Sequence, residues 1–233
     1  MFKIVKKYLE KYYSKRDFKN YYWTQILKYY SQNISNFFFI QIGSNDGITG
    51  DPIHAFIVEN QWNGILVEPV KYLFDQLVLN YKNKNSHLIF ENVAIAKEED
   101  YLNLYKLEKN DEKDMPYWYD QLGTFIPEVI FSHKSLIPNF GEYFTIEKVK
   151  SITLLSLINK YNIKKVDLLH MDTEGYDFEI IKMIPFNLFK PKMIYYEHKH
   201  LSEEQQKECN LFLSKQGYKL KIINESDTFA YLY

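Results

Sequence analysis

Phe37-Phe-Phe-Ile-Gln-Ile-Gly43-Ser-Asn-Asp-Gly47 joins a continuous apolar run to a loop that carries two glycines. Such a run is typical of a parallel strand that is buried on both faces of a sheet. Gly43 lets the chain turn sharply after the strand, because glycine has no Cβ that would clash. Backbone N–H groups collect at a strand–helix junction of this kind and can hold an anionic group such as a carboxylate. The stretch therefore predicts a ligand-binding loop after the first strand of an α/β sheet.

Strand and helix patterns alternate along the rest of the chain. We predict further strands at 65–67, 88–94, 166–171, 193–196, 218–223 and 228–233. We predict helices that begin at Asp51-Pro52, span 71–81, follow the N-cap Thr153, span 178–183 and follow the capping box at Ser202. Repeated strand–helix units favour a mainly parallel sheet with right-handed crossovers.

The length of 233 residues fits one α/β domain, which we assign to residues 37–233. Within it, residues from about 98 to 150 have no regular pattern apart from one candidate strand at 101–107. A long irregular stretch in a compact domain is usually functional, so we predict that it is an insertion on the substrate side.

Residues 1–36 form a basic extension with eight Lys or Arg and two acids. Apolar residues at helical spacing predict two helices, at about 2–13 and 17–31. One interpretation is a helical cover that packs on the domain with its lysines in solvent. The others are weak peripheral contact with an acidic membrane surface, or attraction of an anionic substrate.

The composition narrows the class of partner and the location. The formal net charge is −1, whereas a nucleic-acid binder needs a strong basic field, so we expect no nucleic-acid partner. The one cysteine, Cys209, has no partner for an internal disulfide, which favours a cytoplasmic location. No apolar stretch approaches the roughly 20 residues that a transmembrane helix needs. Homo-oligomerisation stays open.

Two predicted strands end in residues that suit a nucleoside. Glu68 ends the second strand about 25 residues after Gly43 and can accept hydrogen bonds from both hydroxyls of a ribose. An ordinary acid with a nearby salt-bridge partner is the alternative. At the end of the third strand, Asn92 offers an amide to adenine edge atoms and Val93 an apolar surface to the ring.

Two further strand ends carry acids and histidines. Asp172 follows the strand at 166–171, where a carboxylate can stabilise positive charge on a ligand, although Glu174 and Asp177 there suit helix capping. Glu197 and His198 follow the strand at 193–196.

A general base at this edge would take a hydroxyl proton, and His198 is our preferred candidate, with His133 and His170 as rivals. As a further hypothesis, Asp172, Glu197 and His198 could bind Mg²⁺ or Mn²⁺ and lower the pKa of a hydroxyl, but we do not expect a metal.

Taken in order and spacing over 37–233, these motifs resemble the FkbM-type methyltransferases. The motifs that carry the resemblance are Ile-Gly-Ser-Asn-Asp-Gly at 42–47, Asp-Pro-Ile at 51–53, Gly-Ile-Leu-Val-Glu-Pro at 64–69, Val-Asp-Leu-Leu-His-Met-Asp-Thr-Glu-Gly-Tyr at 166–176 and Tyr-Glu-His at 196–198. The resemblance implies a three-layer, Rossmann-like class I sheet of seven strands with an antiparallel C-terminal strand and helices on both faces. It also implies O-methylation of a sugar or similar small polar acceptor, with S-adenosyl-L-methionine as donor and S-adenosyl-L-homocysteine as product, in polysaccharide or secondary-metabolite biosynthesis.

The resemblance also implies roles for individual residues. Those that would bind the donor are Gly43, Ser44, Asn45, Asp46, Gly47, Asp51, Glu68, Pro69, Asn92, Val93, Asp172 and Glu174. Asp172 would lie beside the transferred methyl group, with Glu197, His198 and His133 as catalytic candidates. The chain departs from the pattern at Gln41, where many methyltransferases have an acid. Alternative functions are a nicotinamide-dependent oxidoreductase, which the absence of a third glycine disfavours, and a non-catalytic scaffold of the same fold.

Overall fold

The computed structural model describes residues 15–109 and 115–232. The helix predicted at about 2–13 lies outside these residues, and the second predicted helix is α1 (Lys15–Asn33). Among the described residues, no helix combines the length and the apolar character that are needed to cross a membrane.

A seven-stranded sheet forms the centre of the fold. Its strands are β1 (Phe38–Ile42), β2 (Asn63–Val67), β3 (Leu88–Glu91), β8 (Leu168–Met171), β9 (Met193–Glu197), β10 (Lys219–Ile222) and β11 (Asp227–Tyr231). They lie in the order β3-β2-β1-β8-β9-β11-β10. The pairs from β3 to β9 are parallel, and β11 is antiparallel to both of its neighbours. The predicted fold class, a mostly parallel sheet with an antiparallel C-terminal strand, is confirmed.

Helices cover both faces of this sheet. The remaining helices are α2 (His54–Glu59), α3 (Lys71–Tyr81), α4 (Pro127–Ser132), α5 (Phe140–Tyr143), α6 (Leu154–Lys160), α7 (Asp177–Met183) and α8 (Glu203–Lys215). Alternate residues of β1 belong to different cores, since Ile40 and Ile42 pack with α6, α7 and α8, whereas Phe39 packs with α1, α2 and α3. From α1, Trp23 and Leu27 are buried in the second core, so this helix covers the sheet.

Most of a second sheet lies in the stretch predicted as irregular. This sheet consists of β4 (Ala94–Ile95), β5 (Tyr101–Leu107), β6 (Gly123–Thr124) and β7 (Phe144–Ile152), in the order β4-β7-β5-β6. The candidate strand at 101–107 is confirmed as β5. Its long antiparallel partner β7 was not predicted, because its apolar residues do not keep to one face: Val149 is buried beside the polar Ser151, whereas Ile146 on the other face is exposed.

Several predicted element boundaries differ from the structure. Asp51 is not the N-cap of α2, which begins at His54; instead the Asp51 carboxylate accepts a hydrogen bond from the Ile53 N–H at 2.8 Å. The strand predicted at 88–94 is interrupted, because β3 ends at Glu91 and the chain then crosses to the second sheet as β4. The caps at Thr153 and Ser202 are confirmed, the latter as a full capping box.

Candidate active site

The carboxyl ends of β1, β2 and β8 meet at one edge of the large sheet. Gly43 and Ser44 each donate a backbone hydrogen bond of 3.0 Å to the carbonyl oxygen of Val67, and Asp172 N donates one of 3.0 Å to the carbonyl of Ile42. These bonds hold the three loops around a cavity of about 650 Å³, a size typical of a small-molecule site.

Backbone packing explains the glycine at position 43. Its φ is +75°, and a Cβ there would collide with the backbone carbonyl of Asp172. The first loop therefore lies directly against the loop after β8. Gly43, Ser44 and Asn45 line the cavity.

The second half of the loop stabilises the loop itself and packs it against α3. Asp46 accepts hydrogen bonds from the N–H groups of Ile48 and Thr49 at 2.8 and 2.7 Å. A Cβ at Gly47 would press on Leu77 of α3. Neither Asp46 nor Gly47 lines the cavity, so the structure does not place these two predicted donor-binding residues against it.

Glu68 lies at the cavity wall with its carboxylate buried. One carboxylate oxygen accepts the N–H of Asn45 and the other the N–H of Val70, both at 2.8 Å. Burial raises the pKa of Glu68 to about 7, although the two N–H groups favour the charged form. Each oxygen keeps a second lone pair, so the carboxylate can still accept two ligand hydroxyls.

Asn92 supports this turn from behind. Its amide nitrogen donates to the carbonyl oxygens of Glu68 and Pro69, at 2.8 and 3.0 Å, and the residue does not line the cavity. The Asn92 amide, which we had assigned to adenine, therefore forms its hydrogen bonds within the protein. Pro69 and Val93 do line the cavity.

Gln41 and Asp51 place unsatisfied oxygens in the cavity wall. Gln41 Oε1 and Asp51 Oδ2 are buried and have no hydrogen-bond partner among the described residues, and both residues line the cavity. Burial raises the pKa of Asp51 to about 6. Two acceptors without donors indicate that the cavity suits a ligand with N–H groups.

Asp172 and Glu174 extend the acidic wall. Asp172 is exposed to the cavity, although protein atoms crowd around its carboxylate. Its pKa is raised well above its usual value, by burial and by the nearby carboxylates of Glu174 and Asp177. Asp177 does not line the cavity; its carboxylate accepts the hydroxyl and N–H of Thr173. The capping interpretation of Glu174 and Asp177 is wrong, because Tyr176 is the N-cap of α7 and no side chain of the described residues caps this helix.

The predicted base His198 and its neighbour Glu197 lie behind the cavity wall, not on it. His198 is 9% exposed, and its Nδ1 is 3.0 Å from the hydroxyl of Thr228. Burial and the nearby carboxylate of Asp172 together raise the pKa of Glu197 to about 11. The predicted metal-binding set also differs from the structure, in which Glu174, Glu197 and His200 come together.

Among the three histidine candidates, His133 and His170 line the cavity. Burial lowers the pKa of His170 to about 3, so its ring is neutral. His133 Nδ1 lies 2.9 Å from the carbonyl oxygen of Val129. A carbonyl only accepts, so Nδ1 carries the proton, and Nε2 of the neutral ring is then the basic nitrogen.

The insertion supplies the rest of the wall. Tyr117 and Trp118 line the cavity, and the Trp118 ring meets His133 edge-on with centroids 5.3 Å apart. The hydroxyl of Thr124 in β6 donates to the carbonyl oxygen of Glu174 at 2.8 Å and fixes this wall to the loop after β8.

Sequence reasoning missed several lining residues. They are Gln121, Leu122 and Leu136 from the insertion and Lys199 after β9. No motif marks the first three, because they reach the cavity only through the folding of the insertion over the sheet edge; Lys199 lies at that edge directly after the Tyr-Glu-His motif.

The sequence model of the FkbM methyltransferase domain matches residues 41–220. None of the curated protein sequences matches the chain. Among solved structures, the METTL16 MTase domain is similar with a TM-score of 0.50 and 11% identity, over 91% of this chain and 66% of that one. A methyltransferase FkbM from Methylobacillus flagellatus KT has a TM-score of 0.49 and 14% identity, over 88% of this chain and 48% of that one. The chain thus spans about two thirds and about half of their respective lengths.

Proposed function

Because the chain belongs to the FkbM methyltransferase domain family, we propose that it is an S-adenosyl-L-methionine-dependent O-methyltransferase that acts on a hydroxyl of a sugar or similar small polar molecule. The observation that carries this proposal is the cavity between the ends of β1, β2 and β8, which is lined by Gly43, Glu68 and Asp172. We expect the reaction to serve polysaccharide or secondary-metabolite biosynthesis.

The charges in the cavity wall suit a cationic donor. Four acids line it, Asp51, Glu68, Asp172 and Glu174, against one lysine, Lys199. The unpartnered oxygens of Gln41 and Asp51 can accept hydrogen bonds from an ammonium group. Asp51 thus provides the negative charge that many methyltransferases have at the position of Gln41. The same wall would repel the pyrophosphate of a nicotinamide dinucleotide, which argues against an oxidoreductase.

The adenosine part of the donor would lie toward the end of β2. The Glu68 carboxylate would accept the ribose hydroxyls, and Pro69 and Val93 would provide apolar surface to the adenine. The N–H groups of Gly43 and Ser44 bond to the Val67 carbonyl and that of Asn45 to Glu68, so the loop expected to hold the donor carboxylate uses these groups within the protein.

We assign the acceptor to the insertion side of the cavity. Trp118 and Tyr117 offer aromatic surface on which the C–H face of a sugar can stack. His133 lies beside Trp118 and has its basic Nε2 set by the Nδ1–H···O=C bond to Val129. We therefore assign the role of general base to His133 instead of His198.

Bound S-adenosyl-L-methionine supplies a methyl group on positively charged sulfur and is converted to S-adenosyl-L-homocysteine. The protein aligns the acceptor oxygen and excludes water from it. His133 Nε2 takes the proton that the hydroxyl loses as the new C–O bond forms; such general-base help is worth about 10²–10⁴ in rate.

The ribose assignment is tested by calorimetric titration with S-adenosyl-L-homocysteine. We expect Glu68→Gln to weaken binding by about ten- to a hundredfold, because a hydrogen bond to a charged group contributes about 1.5–3 kcal/mol. Glu91→Gln is the matched control, since this buried acid ends the next strand but pairs with Lys160 and does not line the cavity. Equal affinity of wild type and Glu68→Gln would remove the ribose role.

The same titration should depend on pH. With a pKa of about 7, the ionised fraction of Glu68 rises from about one tenth at pH 6 to about nine tenths at pH 8. The ionised carboxylate is the better acceptor for hydroxyls, so we expect affinity to increase by up to about tenfold over this range. Glu68→Gln should lose this dependence; an unchanged slope in the variant would assign the titration to another group.

The acceptor side is tested by transfer of labelled methyl groups to a panel of free sugars and glycosides, with a thiol and an amine of similar size as competitors. We expect methyl ethers of the sugars as products. His133→Gln should lower kcat by about 10²-fold or more, and its affinity for S-adenosyl-L-homocysteine should equal that of wild type. His87→Gln changes an exposed histidine away from the cavity and should have no effect. Full turnover by His133→Gln would exclude it as the base.

A further inference from the structure

A cluster of three ionisable side chains lies at the back of the cavity wall. His200 Nε2 is 2.9 Å from Glu174 Oε2 and 3.9 Å from Glu197 Oε2. One ligand-type atom from each residue lies within 4.8 Å of those of the other two. It is the one such group that the described part of the chain contains.

Two members of this cluster each have a buried polar atom without a hydrogen-bond partner among the described residues. Glu197 is 8% exposed, and its Oε2 has none within residues 15–109 and 115–232. The same holds for His200 Nε2, whose short approach to Glu174 lacks hydrogen-bond angles. A buried polar oxygen without a hydrogen-bond partner is costly whether or not the carboxyl group is charged, so the Glu197 oxygen indicates a missing ligand.

The backbone holds the cluster in place. Glu197 ends β9, a central strand of the large sheet. Glu174 has a positive φ of +50°, and its carbonyl is held by Thr124. A Cβ at the next residue, Gly175, would lie 3.3 Å from His200 Cβ, so that glycine lets the histidine come close. The arrangement is therefore built by three separate segments of the fold.

We propose that Glu174, Glu197 and His200 bind one divalent transition-metal ion, for which Zn²⁺ is the best match. One imidazole and two carboxylates form a ligand set that zinc accepts at about 2.0–2.2 Å, with a fourth position open. Mg²⁺ and Ca²⁺ prefer oxygen ligands alone, which the imidazole does not satisfy. An ion pair between Glu174 and His200 alone would leave the Glu197 oxygen unsatisfied.

The proposed ion would lie at the edge of the cavity. Glu174 lines the cavity, and the His200 ring is 5.7 Å from that of His133, centroid to centroid. The site goes beyond the proposed function, because binding of the ion can be measured whether or not methyl transfer occurs.

The test is calorimetric titration of the full chain, treated with chelator and then dialysed, with Zn²⁺. We expect one ion per chain, and no saturable binding of Mg²⁺ or Ca²⁺ at millimolar concentration. His200→Ala and Glu197→Gln should each weaken Zn²⁺ binding by at least about tenfold. His87→Ala, which removes an exposed histidine outside the cluster, should leave it unchanged. Co²⁺ in place of Zn²⁺ should give a visible absorption band that His200→Ala shifts or abolishes.

Because Glu197 is buried, its variant needs a check on folding. Circular dichroism of the metal-free protein identifies a misfolded variant. If Glu197→Gln misfolds, Zn²⁺ titration of Glu174→Gln, a change at the more accessible residue of the cluster, replaces it. Absence of one-to-one Zn²⁺ binding in wild type would overturn the proposal. So would equal affinity in wild type, Glu174→Gln and His200→Ala.

Discussion

Gly43 and Gly50 have nearly the same backbone angle and different surroundings. Their φ values are +75° and +71°, but a Cβ at position 43 would strike the Asp172 backbone, whereas at position 50 no atom of the described chain lies within 4 Å. The two glycines therefore separate the cost of a left-handed conformation from the cost of a steric clash.

We expect Gly50→Ala to lower the free energy of unfolding by about 1–2 kcal/mol, the cost of a left-handed residue with a Cβ. Gly43→Ala should cost at least about 2 kcal/mol more, because the loops after β1 and β8 must separate. Urea unfolding of both variants and wild type measures the difference. Equal losses would mean that the two loops are not in firm contact.

For individual residues, the sequence predicted which strand ends form the site, but not which side chains point into the cavity. Gly43, Glu68 and Asp172 were all expected to bind the donor, and all three line one cavity. Asn92 and His198 were assigned to it as well, yet their side chains are used on Glu68 and Thr228. The spacing of strand ends locates a residue at an edge; it does not say whether its polar atoms face a ligand or the backbone.

Among the elements, α8 depends on its first turn. Ser202 accepts the N–H of Gln205 at 3.2 Å, and the Gln205 side chain accepts the N–H of Ser202 at 2.9 Å. We expect Ser202→Ala to lower the free energy of unfolding by about 1 kcal/mol, measured by urea denaturation.

Ser214→Ala in the last turn of the same helix is the control and should change stability by less than about 0.5 kcal/mol. Neither serine lines the cavity, so binding of S-adenosyl-L-homocysteine should be unchanged. A loss of affinity in Ser202→Ala would instead connect this cap to the site.

The elements that were predicted well are either strands buried on both faces or helices with a clear capping motif. β1 and β9 are apolar on both faces, and α8 has a capping box that names its first residue. β7 was not recognised because its sequence does not alternate regularly: Ile146 is apolar but exposed, and Ser151 is polar but buried. The start of α2 was placed too early because an Asp-Pro pair that begins a turn looks like one that begins a helix.

In the molecule as a whole, the large sheet was predictable, whereas only β5 of the second sheet was predicted. Strand–helix alternation fixes the layers and the edge at which a ligand binds. The wall opposite that edge comes from a pairing between β5 and β7, which are separated by residues without periodicity. Long-range antiparallel pairing leaves little local signal, so residues such as Leu136 could not be assigned to the cavity.

The hydroxyl of Thr124 connects these two parts of the molecule, since it donates to the Glu174 carbonyl and accepts the N–H of Ile126. Exchanging residues 98–150 for the equivalent segment of another enzyme is the natural way to engineer a new acceptor preference. A graft that omits this threonine would lose the hydrogen bond that joins the segment to the loop after β8. The chimera would then have the new acceptor-binding residues, but they would not be aligned with the methyl donor.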